Sequence, residues 1–546
     1  MKRRLSLILI IMILLTPCLC ACGAGGAGAV QAAEASAAPQ AAESAAQTAE
    51  AGAGALNLFR AIETMADEAA LCRVSYPVLA LSGEDAAAYP ALARAVDALN
   101  ANERAYAQEA YDALLPAAQG DMERRAAYDA AAKAAEDTAT PVEYDEAAGL
   151  AGFEEFYRRV DLTLPRADSR AVSVLYSMTS FSGGVHGNYY YYSANLDSAT
   201  GRQLGVGDVV RDMAALRAAM EEGLAAAYPA ADFSGLEDAL NEYMADPAAF
   251  TWTLDYQGVT FYFSPGELAP YEDGQMRISL RFDENPELFS LYYTVAPYSY
   301  AVPFTDGALL NCDINGDGHS DSVRVDFEYA ADGAGIERLI IDVNGKSYTA
   351  NTPMTECRLY AVYAPGEKRY LFISAQNLTG YGYISVYTLD RAGAGLVGML
   401  YNSSLYAAEY TTACPGMPLF TDPDDFMLGT RQQYLGTLTG LKSYSLGADG
   451  MPTSEDGYYV LYGGAPLTLK GQLVTATIDP TTGTGTFAAE TFAPGTRLSF
   501  LRSDGEGAVD MYTDEGVYCR LYVSGSPGGQ NVNGIPAEQL FDGIVY

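Results

Sequence analysis

Apolar residues alternate with polar ones through Cys72, Val74, Tyr76 and Val78, and then the period changes. Side chains on an extended chain face opposite sides in turn, so the alternation predicts a strand over residues 72–79. From Tyr89 onward Leu92, Val96, Leu99, Tyr106, Ala110 and Leu114 fall on one helical face. They predict an amphipathic helix over 90–116, and a second, alanine-rich helix is expected over 121–136. Strands follow at 156–164 and 171–180, and the four tyrosines Tyr189 to Tyr192 suit a further strand with rings alternately in and out. Helical stripes return at Met213, Leu216, Met220 and Leu224, then at Leu236, Leu240 and Met244. A hairpin is expected from 250–254 to 259–263, turning at Tyr256-Gln257-Gly258, with a last strand at 276–282.

Beyond Val302 helical periodicity vanishes. Short β-like runs recur at 322–327, 339–343, 357–362, 370–373 and 383–389 between Gly, Asp and Asn turns. The last hundred residues keep a hairpin rhythm through 473–478, 498–501, 509–512 and 519–523. The chain is therefore expected to be multidomain. Residues 56–300 form an α+β domain, a mostly antiparallel sheet with helices on one face. Residues 301–450 form an all-β domain, a sandwich or an incomplete propeller. Residues 451–546 form a C-terminal β module, a small barrel or the completion of the preceding domain.

The N-terminus sets the compartment. Lys2, Arg3 and Arg4 precede an apolar run over 5–15, too short to span a bilayer, which reads as a signal peptide. Leu19-Cys20-Ala21-Cys22-Gly23 fits a bacterial lipobox, with Cys22 lipidated as the new first residue. Pro17 makes Cys18 and Cys20 poorer choices; the alternative is ordinary secretion after cleavage near Ala21. Anchored through Cys22, the chain would sit on the outer face of the cytoplasmic membrane. Residues 23–55 are almost entirely Ala, Gly, Glu, Gln and Ser, have little to bury, and read as a disordered tether.

The formal net charge of −37 becomes about −40 once the leader is removed. Such a surface disfavours nucleic acid and anionic lipid and steers in cationic partners. Beyond Cys22 the cysteines are Cys72, Cys312, Cys357, Cys414 and Cys519, widely spaced and without a CxxC pair. They read as buried thiols with at most two disulfides.

Residues 182–204, SGGVHGNYYYYSANLDSATGRQL, place a Gly-Gly-X-His-Gly turn, the tyrosine run and an Asp-X-X-Thr-Gly turn in one window. With DSATGRQLGVGDVV (197–210) and FYFSPGELAPYEDG (261–274), they carry a resemblance over roughly residues 70–295. This stretch resembles the extracytoplasmic domain of the lysozyme-binding anti-sigma factor RsiV family, also found ahead of the catalytic domain in PdaC-type peptidoglycan deacetylases. The resemblance implies a ligand-binding domain of the cell envelope. The deacetylase catalytic domain is missing, and so are the transmembrane helix and sigma-binding segment of RsiV, so direct sigma-factor control is not expected. His186, Tyr190, Tyr192 and Asp197 are the candidate ligand-binding residues. Each has a plainer reading: His186 bonding its own turn, Asp197 and Thr200 shaping a turn, the tyrosines packing in a strand.

At the entrance of the β region, Asp313, Asn315, Asp317 and Asp321 stand at positions 1, 3, 5 and 9 of an EF-hand-like loop, with Gly318 at 6. The backbone carbonyl of His319 would supply position 7. Position 12 is Arg324 rather than Glu and no helices flank the loop, so it is not an EF-hand; it looks like the Asp-rich loops that precede strands in bacterial β-propeller repeats. Bound Ca²⁺ is the first expectation, with Asp326 a possible extra carboxylate, and a metal-free Asx turn the alternative.

These features point to a surface lipoprotein that binds an envelope-related ligand: first a lysozyme-like muramidase, second peptidoglycan. Its membrane contact is expected through the lipid anchor alone. No Gly-X-Ser-X-Gly or HExxH motif supports an enzyme. A hydrolase with a hidden carboxylate pair, or a structural assembly lipoprotein, are the competing classes.

Overall fold

The computed structural model describes residues 54–138, 155–184, 187–304, 307, 309–314, 321–331, 333, 335–366, 368–377, 381–405, 408–409, 416–479 and 485–546. The leader, Cys22 and most of the tether lie outside the described residues.

The first sheet begins with β1 (Leu58–Ala66) paired antiparallel to β2 (Cys72–Leu81). Helix α1 (Pro90–Thr138) follows, then β3 (Phe156–Ala167), β4 (Ala171–Phe181) and β5 (Asn188–Asp197). β2 and β3 run parallel, from Cys72 opposite Phe156 to Ser75 opposite Arg159. A parallel step needs a long crossover, and α1 provides much of it. From β1 to β5 the sheet is mostly antiparallel, as expected, with this one parallel step between β2 and β3. Leu92, Val96 and Ala107 of α1 are buried against Val74, Tyr76, Val160, Leu162, Val174 and Tyr176. The two helices expected at 90–116 and 121–136 are one helix running through Pro116. Proline deletes a helical hydrogen bond, but Ala118 is buried just beyond it and Asp121 pairs with Arg124 and Arg125, so packing and charge carry the helix on.

Two short pieces from far along the chain, Ala408–Glu409 and Met417–Pro418, pair with β1. The first sheet is therefore completed by the β region.

Helices α2 (Met213–Ala227) and α3 (Leu236–Ala245) lie against a second sheet, β6 (Thr251–Leu254), β7 (Gly258–Phe263) and β8 (Met276–Arg281). The stripe Leu216, Met220, Leu224 and Leu240 is buried with Trp252, Phe261, Phe263 and Ile278. This sheet meets β4 and β5 through hydrogen bonds: the Ser193 hydroxyl accepts from the Trp252 amide (3.0 Å), and the Ser173 hydroxyl accepts from the Leu254 amide (3.0 Å).

Arg166, wholly buried, joins these parts. It pairs with buried Asp168 at 2.9 Å and donates to the carbonyls of Asp255 (3.2 Å), Tyr293 (2.5 Å) and Val295 (2.9 Å). Its guanidinium lies 5.2 Å from the Tyr256 ring centre. From there a ring ladder leads into the β region: Tyr256 to Tyr300 at 4.1 Å, and Tyr300 stacked on Tyr363 at 4.4 Å.

The β region is a stack of antiparallel sheets. β9 (Tyr300–Phe304) borders the sheet of β14 (Glu356–Ala364), β15 (Lys368–Gln376), β16 (Gly382–Asp390) and β17 (Gly393–Tyr401). A sheet of β10 (Leu309–Cys312), β11 (Asp321–Tyr329), β12 (Ile336–Val343) and β13 (Lys346–Met354) covers one face, burying Val323, Val325 and Ile341 against Leu371 and Ile373. The other face buries Tyr360, Phe372 and Val386 against Phe420, in the connection that follows Met417–Pro418, and against Phe426 and Leu428 of the next sheet.

That last sheet contains β18 (Phe426–Gln432), β19 (Leu438–Leu446), β20 (Tyr459–Tyr462), β21 (Leu473–Ile478), β22 (Gly485–Phe492), β23 (Arg497–Ser503), β24 (Ala508–Thr513) and β25 (Tyr518–Ser524). Its order is β18-β19-β20-β23-β24-β25-β21-β22, so one sheet carries strands from both sides of residue 450. The described strands do not close into a barrel. Cys72 and Cys519 are free, buried thiols.

Candidate functional site

The tyrosine strand β5 is the last of its sheet, hydrogen-bonded along β4 from Ala171 opposite Asp197 to Ser180 opposite Asn188. Alternation divides its side chains. Tyr190 and Tyr192 share the face that carries α1; Tyr189 and Tyr191 share the opposite face.

Tyr192 is used inside the domain. Its ring stacks on Tyr176 at 4.8 Å, and its hydroxyl donates to Glu103 of α1 at 2.7 Å. Burial, and then the Glu103 charge, push its phenol far above the usual range. Burial also raises the Glu103 carboxyl, while the Tyr192 hydrogen bond pulls the other way. Tyr191 packs against Tyr262 of β7 at 5.4 Å on the other face.

Tyr189 and Tyr190, nearer the turn, stay 49% and 43% exposed. The second sheet covers the outer face of β4 and β5 only at the end holding Ser173, Ser193 and Asn195. At the opposite end this face is open. Register puts Arg159, Thr179 and Tyr189 in one row across β3, β4 and β5, with Tyr157 and Phe181 in the next. Tyr157, Arg159, Thr179, Gly187, Asn188 and Tyr189 line a shallow cleft there, about 500 Å³ in volume. This row of chemistry was not singled out from the sequence, because its members lie on three strands and only register aligns them. An exposed arginine among tyrosines was the available signal.

Asp197 lies at the far end of β5, about 23 Å along the strand from Tyr190 at ~3.3 Å per residue. It builds the turn: Oδ1 accepts from the Thr200 amide (2.9 Å) and hydroxyl (2.7 Å), and Oδ2 accepts from the Tyr293 hydroxyl (3.4 Å). Gly201 closes the turn at φ +69, and a Cβ there would stand 2.4 Å from the Ala91 carbonyl oxygen at the start of α1. His186 lies outside the described residues. Among the candidates that are described, Tyr190 alone is solvent-facing, on the sheet face opposite the cleft, and Tyr192 and Asp197 make contacts within the fold.

In the Asp-rich loop, Asn315, Asp317 and His319 lie outside the described residues. Asp321 Oδ2 accepts from the Ile314 amide (2.9 Å), and Oδ1 accepts from Asn344 Nδ2 (2.9 Å), closing the loop onto the β12–β13 turn. Asp326 accepts from Arg324 Nε at 2.8 Å on β11. Among the described residues no three or more His, Cys, Asp or Glu side chains gather as a metal site. No described helix is long and apolar enough to cross a membrane.

No family model matches the chain, and no curated protein matches it. Solved structures do. A crystal structure of a DUF3298 family member from Bacteroides fragilis is 17% identical, with a TM-score of 0.27, covering 44% of this chain and 95% of that one. A DUF3298 family protein from Pseudomonas aeruginosa is 15% identical, with a TM-score of 0.26, covering 44% of this chain and 97% of that one. The structural neighbours are thus DUF3298 family proteins.

Proposed function

We propose that this chain is a cell-surface lipoprotein with an RsiV-like domain that binds an envelope-related ligand at the open end of the β3–β5 face. A lysozyme-like muramidase is the first candidate and peptidoglycan the second. The observation that carries this is the placement of Tyr189, exposed and lining a cleft with Tyr157, Arg159 and Asn188, and of Tyr190, exposed on the other face of the same border strand. Exposed tyrosines supply large contact area at little cost in side-chain entropy, and they are enriched at interfaces. The formal charge of −37 favours encounter with a basic partner, acting on the association rate more than on affinity. The reading is one of binding rather than turnover. The lipid on Cys22 and the tether would hold the domain outside the membrane.

The test is capture of the chain lacking residues 1–21 by immobilised lysozyme at about 50 and 150 mM salt. Affinity that persists at the higher salt and falls about tenfold for Tyr189→Ala or Tyr190→Ala is the expected result. Binding confined to low salt and indifferent to both changes means charge attraction alone and removes the muramidase reading. Retention by purified cell wall, with the same sensitivity to these tyrosines, selects peptidoglycan instead.

A further inference from the structure

A second surface lies on the C-terminal sheet, remote in sequence from the tyrosine strand. Alternation puts Val509, Met511, Cys519 and Leu521 into the core, and burial pushes the Cys519 thiol up to about 12. The alternate residues Asp510 and Tyr512 of β24, and Tyr518, Arg520 and Tyr522 of β25, therefore share the outer face. Register sets Arg502, Asp510 and Arg520 side by side across β23, β24 and β25, with Tyr512 opposite Tyr518 in one flanking row and Tyr522 in the other.

The centre of this face is built rather than incidental. Asp510 is fully buried and is shared by two arginines: Arg502 Nε at 2.8 Å, and Arg520 Nε and Nη2 at 2.6 and 2.9 Å. Tyr458 lies over both guanidiniums, 4.5 Å from Arg502 and 5.4 Å from Arg520, and its hydroxyl accepts from Arg520 Nη2 at 2.9 Å. One carboxylate against two guanidiniums leaves a positive charge on a chain of formal charge −37. Arg502 Nη2 is buried without a hydrogen-bond partner, an unfilled donor at the edge of the cluster. Both arginine side chains keep a solvent-facing part, 17% and 16% exposed.

Around this centre the face is aromatic and apolar. Tyr522 is 61% exposed and Val474 on neighbouring β21 is 55% exposed, with Val460 and Tyr512 also open. Tyr512 and Tyr518 sit 5.8 Å apart as a pair. The tyrosine rows stand about 7 Å on either side of the arginine row, two residues along a strand at ~3.3 Å each. A strip about 13 Å long thus sets aromatic rows on either side of a largely buried arginine row.

We propose that this face binds an acidic polysaccharide. The guanidiniums, partly satisfied by Asp510, offer only their solvent-facing edges to a sugar carboxylate, a geometry that Arg serves and Lys does not. The tyrosine rings accept the C–H faces of the adjoining sugars. An acidic polypeptide would satisfy the arginines but leave the ring spacing unused, and a neutral glycan would leave the charge unanswered.

The experiment is titration of the chain lacking residues 1–21 with polyglucuronate, with dextran as the neutral polymer and polyglutamate as the acidic polypeptide, at about 150 mM salt. Polyglucuronate alone should bind. Tyr522→Ala and Tyr512→Ala, both on exposed positions, should each weaken it about tenfold while thermal unfolding stays unchanged. Absence of polyglucuronate binding overturns the proposal. So does equal binding of polyglutamate or dextran, or indifference to both tyrosine changes. Lysozyme capture through Tyr189 and Tyr190 should be untouched by Tyr522→Ala, so failure of either reading leaves the other standing.

Discussion

Replacing Arg166 by methionine removes the group on which two sheets and a loop converge. Arg166 and Asp168 are both 0% exposed, so neither charge has water to fall back on. Removing one partner of a buried ion pair costs roughly 3–5 kcal/mol. The change also takes the donor from the carbonyls of Tyr293 and Val295, and each buried carbonyl left unpaired costs about 1–3 kcal/mol. Some of this is returned. Asp168 still accepts from the amides of Arg170 (2.7 Å) and Ala171 (2.9 Å), and methionine fills most of the vacated volume. A net loss of about 5 kcal/mol is expected, comparable to the whole stability of many domains. Trp252 is the chain's single tryptophan, is buried, and its carbonyl accepts from Asn195 of β5 at 2.8 Å, so its fluorescence reports unfolding of this part. Urea titration of Arg166→Met should show the Trp252 transition moved to far lower denaturant. Arg104→Gln, which breaks a pair in which the arginine is mostly exposed, should cost under about 1 kcal/mol. A midpoint for Arg166→Met within about 1 kcal/mol of the parent would refute the reasoning, since it would mean that the buried cation is dispensable.

Asp422 offers a pH test. Burial, followed by the neighbouring Asp424 and Asp425 charges, holds its carboxyl at about 6 against an ordinary 3.8. A raised carboxyl opposes folding when charged, so the penalty is complete above pH 6 and disappears as the pH falls through 6 towards 4. Asp422→Asn, which keeps the acceptor for the Asp424 amide, should stabilise the chain by about 1–2 kcal/mol at pH 8 after allowance for partial exposure, and by little at pH 4; no gain in melting temperature at pH 8 would count against this. Tyr192→Phe leaves buried Glu103 without its 2.7 Å donor and should cost about 1–3 kcal/mol in urea unfolding, with lysozyme capture unaltered once folded. Gly201→Ala should cost about 2 kcal/mol or more by the same measurement, from its positive φ and the approach of the Ala91 carbonyl, and a cost near zero would show that the turn can yield.

Much of this protein is local and therefore legible in the chain itself. The stripes of Leu216, Met220 and Leu224 and of Leu240 are buried as helical spacing requires, and the β-like runs from 322 to 389 and from 473 to 523 fall on β11, β12 and β14 to β16, missing β13, and on β21 and β23 to β25. Periodicity reports which face an element buries, because burial selects residue type at each position. It does not report partners that lie hundreds of residues away. The pairing of Met417–Pro418 with β1, the continuation of one sheet across residue 450 and the persistence of α1 through Pro116 all depend on distant packing. Site chemistry divides in the same way. The tyrosine run was plain in the sequence, yet only its neighbours determine that Tyr192 turns to Glu103 while Tyr190 faces solvent. The cleft beside Tyr189 and the Arg502–Asp510–Arg520 row exist only once register has brought separate strands together, and strand register is a tertiary quantity, set by the sum of contacts over whole sheets.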